Sequence, residues 1–529
     1  MGVFDGVKIK KPMRSGFNLS HERKLTCNMG ELIPILFEEV VPNDTFQVKS
    51  EIFLRFAPML APIMHRVDVT THFFYVPWDQ VWIDFNDWIT GEKEVAFPTH
   101  EISANVRFTK GQPADYLGLP VWDGTTTITN PINFSVLPFR ALARIWNEYY
   151  RDQDLQNKLP EEKGAFDWAT ENAIFNKIYR AWNKDYFTSA RPWAQKDPDG
   201  PVKMPVNWSP QYLQQGEWLD ATGQPGGSNQ RPVQVQNDGG ANIGKLYNGP
   251  TDTSYNAGNI KNLTDPQTNI NFDINELRWA HKVQQWLERN ARAGTRYHEF
   301  VLAHYGVRTP DLRHGRPLYL GGGKQNVVIS EVLNTSGPTQ FDSSQNPPEP
   351  VVGTTPQGNM AGHGIATGST NSFRHFFTEH GCVIGLMSVT PKPAYQNSMK
   401  KAWRKFNRHD YLYPLFANMG EQEVSLWEVN TPLYGAVGDS NKTFGYQERY
   451  FEYKASYDSV HGDFRDDLEF WHLTRKFSNE PALNDEFIKC NPSRRIFAVT
   501  KQDEATIYAQ VYNQVFAQRP LPFNAMPML

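Results

Sequence analysis

Alternation of apolar and polar side chains with a period of two is the strongest signal along this chain. In residues 46–56, Phe46, Val48, Ser50, Ile52, Leu54 and Phe56 share one face, and Gln47, Lys49, Glu51, Phe53 and Arg55 share the other. That is the pattern of a strand with one buried side. Residues 67–75 repeat it, with Val67, Val69, Thr71, Phe73 and Tyr75 together. Pro77 follows, and a proline cannot donate to a strand ladder, so the run is expected to end there. Further strands are predicted at 327–332, 382–389, 446–454 and 495–500. Strands near both ends of a chain, with long stretches between them, predict a sheet sandwich whose loops are greatly expanded.

Helical periodicity is rarer. Residues 138–151 (PFRALARIWNEYYR) read as an amphipathic helix with proline at its start, where the missing N–H costs nothing. Residues 273–292 give a second helix, with Asp273 placed to cap, Glu276 three residues on and Gly294 at the stop. Its stripe of Trp279, Val283, Trp286 and Leu287 reads as a core-facing side.

Both periodicities fail in two polar stretches. Residues 197–272 are rich in Gly, Asn, Gln, Pro and Asp and hold few apolar anchors, so they bury little surface on themselves. They are expected to form a long surface excursion or to be stabilised by other copies. Residues 334–372 form a second such loop. The first 30 residues carry Lys8, Lys10, Lys11, Arg14, Arg23 and Lys24 against Asp5 and Glu22. They predict an extended basic arm, lying on a neighbour, on nucleic acid or in solvent.

Composition sharpens this. Aromatics make up 13% of the 529 residues, and such side chains dominate cores and interfaces alike. The 37 prolines and 38 glycines are spread throughout, which favours many short elements. Mean hydropathy is −0.57 and no stretch approaches a membrane span. The net charge is only −4, whereas a chain that wraps nucleic acid with its whole surface is strongly basic. Any such contact must be local or left to a partner. Cys27, Cys382 and Cys490 are far apart, which predicts free buried thiols and no zinc or disulfide framework. Residues 1–11 lack the apolar segment of a secretory signal.

No catalytic motif survives inspection. Gly321-Gly322-Gly323-Lys324 lacks the glycine and the Ser or Thr of a phosphate loop, because Leu318 and Gln325 stand there. His298-Glu299 opens like a zinc-protease helix, but Leu302 replaces the second histidine. His461, Asp463, Asp466, Asp467 and Glu469 are acidic enough to suggest a cation, without the spacing of a calcium loop. One basic cluster stands out: Lys400, Lys401, Arg404, Lys405 and Arg408, interleaved with Trp403 and Phe406. Cations along a backbone and rings beneath bases are what single-strand binding requires; a solvated helix face is the alternative.

A series of strings, in order along the chain, resembles one family. They include Phe17-Asn18-Leu19-Ser20-His21, RFAPMLAPIMHRVDVTTHFFYVP from Arg55, NEYYRDQDL from Asn147 and KDYFTSARPWAQ from Lys184. LRWAHKVQQWLERNARAGTRY from Leu277, RPLYLGGG from Arg316, EHGCVIGLMSVTP from Glu379 and VHGDFRDDLEFWHL from Val460 continue the series. Together they resemble the major capsid proteins of microviruses, specifically the gokushovirus branch of single-stranded-DNA bacteriophages.

The resemblance implies a mainly β fold: an eight-stranded antiparallel jelly roll with long insertions and a few helices, occupying 31–529 behind the 1–30 arm. It implies assembly of sixty copies, as a T=1 lattice has, into a closed icosahedral shell around circular single-stranded DNA. The polar segment 197–272 falls where the family carries a projection at the three-fold axes, making Gln224, Asn229, Arg231, Asn237, Lys245 and Tyr247 receptor-facing candidates. Lys400, Lys401, Trp403, Arg404, Lys405 and Arg408, with Lys8, Lys10, Lys11 and Arg14 of the arm, become DNA-contact candidates. A small basic DNA-binding virion protein, a minor DNA-pilot protein and a host surface receptor are the expected partners. The expected location is the virion, assembled in the host bacterial cytoplasm. No catalytic residue, cofactor or membrane insertion is expected, and a divalent cation between subunits stays open. Two other readings compete: a polysaccharide-acting β-sandwich hydrolase, which needs a carboxylate pair in a cleft, and a cell-surface binding module.

Overall fold

The computed structural model describes residues 13–196 and 274–524, with breaks of which the longer are 311–314, 335–340, 343–348, 351–359 and 432–441; within 197–273 it describes only three two-residue strands. The chain divides into two compact units, Met1–Lys196 with Glu288–Leu529, and Asp197–Leu287. The second unit begins where the expected 197–272 insertion begins and runs on to Leu287.

Two antiparallel sheets packed face to face form the first unit. The large sheet contains β1 (Ser15–Asn18), β2 (His21–Cys27), β4 (Thr45–Phe56), β7 (Val328–Asn334), β8 (Met360–Ser369), β9 (Phe373–Phe376) and β11 (Ile507–Arg519). The small sheet runs β6 (Leu318–Asn326), β5 (Val67–Pro77), β10 (Gly381–Pro391), β3 (Leu32–Val40). Both β1 and β2 pair with β11, and both β8 and β9 pair with β4, so each couple is one interrupted strand. Leu19 and Ser20 bridge the first interruption: the Leu19 N–H donates to Val515 O at 2.8 Å, and Ser20 Oγ accepts from the Val515 N–H at 3.1 Å.

The alternation read from the sequence places the core. On β4, Phe46, Val48, Ile52, Leu54 and Phe56 are buried between the sheets, with Ile507, Val511, Val515 and Ala517 of β11 beside them. Val69, Phe73 and Tyr75 of β5, Val383, Met387 and Val389 of β10 and Ile35 and Leu36 of β3 close the core from the small sheet. Fully burying such a side chain is worth about 1.5–3 kcal/mol. A polar pair sits within this core: Ser50 Oγ donates to Asn513 Oδ1 at 2.6 Å, and Asn513 Nδ2 donates to Ile35 O at 2.9 Å.

Every residue of β10 is buried, because the small sheet is covered on its other side too. There Cys382, Ile384 and Leu386 meet Leu137, Leu142 and Ile145 of α1 (Leu137–Ile145), together with Trp82 and Trp146. Gly385 is required on the inner side, where a Cβ would lie 2.8 Å from the Phe73 ring and 2.9 Å from Leu36. The expected helix 138–151 is this α1 continued by one π turn, Trp146–Tyr150. The expected helix 273–292 is α2 (Ile274–Ala293), followed by Gly294 at φ 94°, but of its expected core-facing stripe Leu287 is buried and Val283 half-buried, whereas Trp279 and Trp286 are exposed; Asp273 lies outside the described residues.

Several expectations are corrected. The second half of the supposed arm is sheet: β1 and β2 register with Arg519 back to Ile507. The supposed loop 334–372 contains β8, which pairs with β4 from Ile365↔Arg55 to Ser369↔Glu51. The described part of 495–500 holds only an isolated bridge, Met59↔Phe497. The strand expected at 446–454 is Thr443–Glu448, ended by Tyr450 at φ 63° and a short 3₁₀ turn. The described fold is mainly β and antiparallel, with seven and four strands in its two principal sheets.

Candidate nucleic-acid interface and assembly surface

The basic cluster lies on a run of short 3₁₀ turns, Lys401–Arg404, Arg408–Asp410 and Pro414–Phe416, not on one helix face. Asp410 ties the bend by accepting from the Phe406 and Asn407 N–H groups at 3.1 and 2.8 Å. Three of its cations serve the subunit itself. Lys401 donates to Glu423 O at 2.8 Å. The Arg404 guanidinium stacks 4.6 Å from the Trp427 ring centre. Lys405 reaches Glu452 at 2.9 Å and lies 4.0 Å from the Tyr453 ring centre. Burial alone would lower the Lys405 pKa, yet the Tyr453 and Glu452 contacts carry it above its ordinary value. Burial likewise works to raise Glu452, and hydrogen bonds from Gln422 and Lys405 overcome it to hold that carboxyl below its usual range. The pair is an internal clamp between this segment and Phe451–Tyr453.

What remains outward is Lys400, Arg408 and a concentration of large apolar side chains. Trp403 is 76% exposed, Phe406 79% and Leu415 83%. Tyr411, Leu412, Tyr413 and Met419 are exposed within the same stretch. Exposed apolar groups gathered this way mark surfaces meant to be covered.

A second outward surface went unread in the sequence. While α1 covers the small sheet, the far side of the large sheet is bare: Gln47, Glu51, Phe53 and Arg55 on β4, and Tyr508, Gln510, Tyr512, Phe516 and Gln518 on β11, are all exposed. Arg14, the described cation of the expected arm set, reaches this side. Its guanidinium donates to Thr45 Oγ1 at 2.5 Å and lies 5.7 Å from the Phe376 ring centre.

Lys8, Lys10 and Lys11 lie outside the described residues, as do Gln224, Asn229, Arg231, Asn237 and Lys245. Tyr247 is in the two-residue strand Leu246–Tyr247, paired on both sides in a small three-stranded sheet. Among the described residues, no group of three or more His, Cys, Asp or Glu is gathered to hold a metal, and no helix is long and apolar enough to cross a membrane. His461 meets Ser459 at 3.0 Å, and the acidic run after it forms two short 3₁₀ turns. All three cysteines are buried and free; burial outweighs the opposing charges of Arg475 and Arg180 and leaves the Cys490 thiol pushed up to about 12.

The family model described as "Capsid protein (F protein)" matches residues 6–529. The chain belongs to that family. Capsid protein VP1 of Chlamydia phage 1 is 33% identical to it over 593 aligned positions, covering 98% of this chain and 96% of the relative. Capsid protein VP1 of Bdellovibrio phage phiMH2K is 33% identical, covering 97% and 95%, and that of Spiroplasma virus 4 is 28% identical, covering 98% and 95%. Membership gives this F-family chain a structural, non-enzymatic role in the virion.

Proposed function

We propose that this capsid protein closes sixty copies at a time into a T=1 icosahedral shell around circular single-stranded DNA, its sandwich being a jelly roll with long insertions. The observation that carries the reading is the outward apolar stretch 403–419, held in place by the internal clamp of Lys401, Arg404 and Lys405. A subunit that spends its cations on fixing such a stretch, and leaves the rings bare, is built to be covered by another copy. Heterologous contacts repeated about an axis close into rings. The few interface residues whose truncation costs about 2 kcal/mol or more are enriched in Trp and Tyr and cluster near the centre of the contact.

The test is a Trp403→Ser/Leu415→Ser variant of the full chain, scored by negative-stain microscopy and size-exclusion chromatography. Wild type is expected to give uniform shells, and the variant folded but unassembled subunits. Normal shells from the variant would remove 403–419 from the contact surfaces.

A second reading of this stretch rests on the exposed cations Lys400 and Arg408 flanking exposed rings. That arrangement supports an inward DNA contact. Shells of Lys400→Glu/Arg408→Glu that assemble normally but lose DNA would favour it. The reading also assigns DNA contact to Lys8, Lys10 and Lys11, and receptor contact to the 197–272 insertion. Assembly in the host cytoplasm, with a small basic protein and a DNA-pilot protein as companions, completes it. Exchanging 197–272 between related phages should move adsorption with the segment; adsorption that ignores the exchange would place receptor contact elsewhere.

A further inference from the structure

The bare side of the large sheet carries a pattern the assembly does not explain. Along β11 the outward side chains read Tyr508, Gln510, Tyr512, Gln514, Phe516 and Gln518, ring and amide in strict alternation. The three rings recur every fourth residue, roughly 13 Å apart along a strand. On β4, Phe53 lies opposite Gln510 and Arg55 opposite Tyr508. On β2, Lys24 lies opposite Gln510 from the other side. Across β9, Arg374 lies opposite Gln47, and Phe376 carries the ring beside Arg14.

The charge of this side differs from that of the chain. Among the described residues of these strands, Arg14, Lys24, Lys49, Arg55 and Arg374 stand with Glu22 and Glu51, five cations for two acids in a chain of net charge −4. The two acids sit beside Lys24 and Lys49, at 3.4 and 3.0 Å. Arg55 and Arg374 are exposed and have no carboxylate partner among the described residues. At one end Lys24, Phe53, Arg55, Tyr508 and Gln510 of the strip also line a cleft of about 960 Å³ that is of mixed charge, with Glu31, Asp115, Asp503 and Glu504 against Arg23, Lys110 and Lys177.

We infer that this face is a stacking platform for single-stranded DNA, with Tyr508, Tyr512, Phe516 and Phe53 beneath bases and Arg55, Arg374 and Lys24 on phosphates. The inference rests on the capsid reading above and names the surface that meets the genome. Rings on an open sheet, spaced by groups that hydrogen-bond base edges without preference, suit a strand of any sequence. The excess of cations decides the class of partner. It repels the small basic protein expected in the virion and attracts a polyanion. The rings project away from the core, so their removal leaves the buried face of β11 intact.

The test uses the full-length chain as dissociated subunits and a fluorescein-labelled oligodeoxythymidylate, with affinity read by anisotropy at several salt concentrations. Tyr508→Ala/Tyr512→Ala/Phe516→Ala is expected to weaken binding at least tenfold, while Tyr512→Phe keeps it. Arg55→Gln/Arg374→Gln is expected to flatten the dependence of log affinity on log salt by about 1.4, at about 0.7 per lost phosphate contact on single strands. The same variants are then scored for shells. Unchanged oligonucleotide binding by both variants overturns the platform. So does a ring variant that binds normally yet fails to assemble, since the face would then be an intersubunit contact. Failure of the wild type to form shells would count against the capsid reading, whereas oligonucleotide binding is read before any shell exists.

Discussion

At the residue scale, the sheet core is specified as much by one polar pair as by its apolar faces. Asn513 occupies an inward position of β11, where it accepts from Ser50 and donates to Ile35 O. It therefore joins β11, β4 and β3, and a slip of one residue would leave three buried groups unpaired. Asn513→Ala should cost about 1–3 kcal/mol, the penalty for stranding buried polar partners, measured by urea unfolding of dissociated subunits. Ser50→Ala alone should cost less, because Ile35 O keeps its donor; an equal loss from both would show that the amide's bond to Ile35 is unimportant.

His72, on β5, gives a pH dependence of defined sign. Its ring meets the Tyr150 hydroxyl at 2.7 Å under the π turn, and burial, reinforced by the Arg180 charge, lowers its pKa to about 4. The unfolded chain takes up that proton near pH 6.5 and the folded one only near 4. The unfolded state thus binds more protons between those values, and stability falls as pH drops through the window. At one site the full effect is on the order of 3 kcal/mol. His72→Gln should flatten the stability profile between pH 6.5 and 4 relative to wild type. Raised carboxyls such as Glu38 and Glu428 titrate in the opposite sense in both proteins, so the difference between the two profiles isolates the histidine.

At the element scale, legibility followed hydrophobic contrast. Strand β4 was readable because its inward residues are large and apolar and its outward ones mostly polar. The longest strand, β11, was missed because that contrast is partly inverted: between Ile507, Val511 and Val515 it buries the small or polar Ala509, Asn513 and Ala517, and it exposes Tyr508, Tyr512 and Phe516. The candidate platform was hidden by the same inversion, since exposed rings read as core. Strand β8 (MAGHGIATGS) offers no apolar face at all and owes its place to pairing with β4. Conversely, 495–500 has strand composition, but Arg495 is drawn into bonds with the carbonyls of Glu469, His472 and Thr474, which fixes a loop. In the basic cluster, residue types were visible but not their intramolecular partners, because Glu423, Trp427 and Glu452 are distant in sequence.

Helix α1 is held by an ion pair that periodicity could not reveal. Arg140 and Glu171 are almost fully buried and bond twice, at 2.8 Å each, while Arg140 also donates to Gly164 O at 2.9 Å. Removing one partner leaves a buried charge, so Glu171→Ala should destabilise by about 3–5 kcal/mol. Arg140→Met/Glu171→Leu should recover most of that loss, because two apolar groups of similar bulk leave no charge stranded. The thermal midpoints of the three proteins separate the cases; a double variant as weak as the single one would mean that packing, not charge, is at stake.

At the scale of the whole molecule, charge sets what one subunit can and cannot do. The chain carries 53 Lys and Arg against 57 Asp and Glu, and many of its buried cations are committed to partners such as Glu171 and Glu452. A local strip of five cations can orient a strand, but it cannot neutralise a packed genome, whose phosphates repel one another at distances within the screening length of about 8–10 Å. Shells made from this chain alone are therefore expected to hold little DNA, and co-expression of a small basic polypeptide should raise the ratio of absorbance at 260 to that at 280 nm in purified particles. The rise should vanish at high ionic strength during assembly, since the cations act through screened attraction. Particles that fill equally with and without the basic polypeptide would show that the capsid's own strip suffices, and that the excess of acids on the chain lies on surfaces the DNA never approaches.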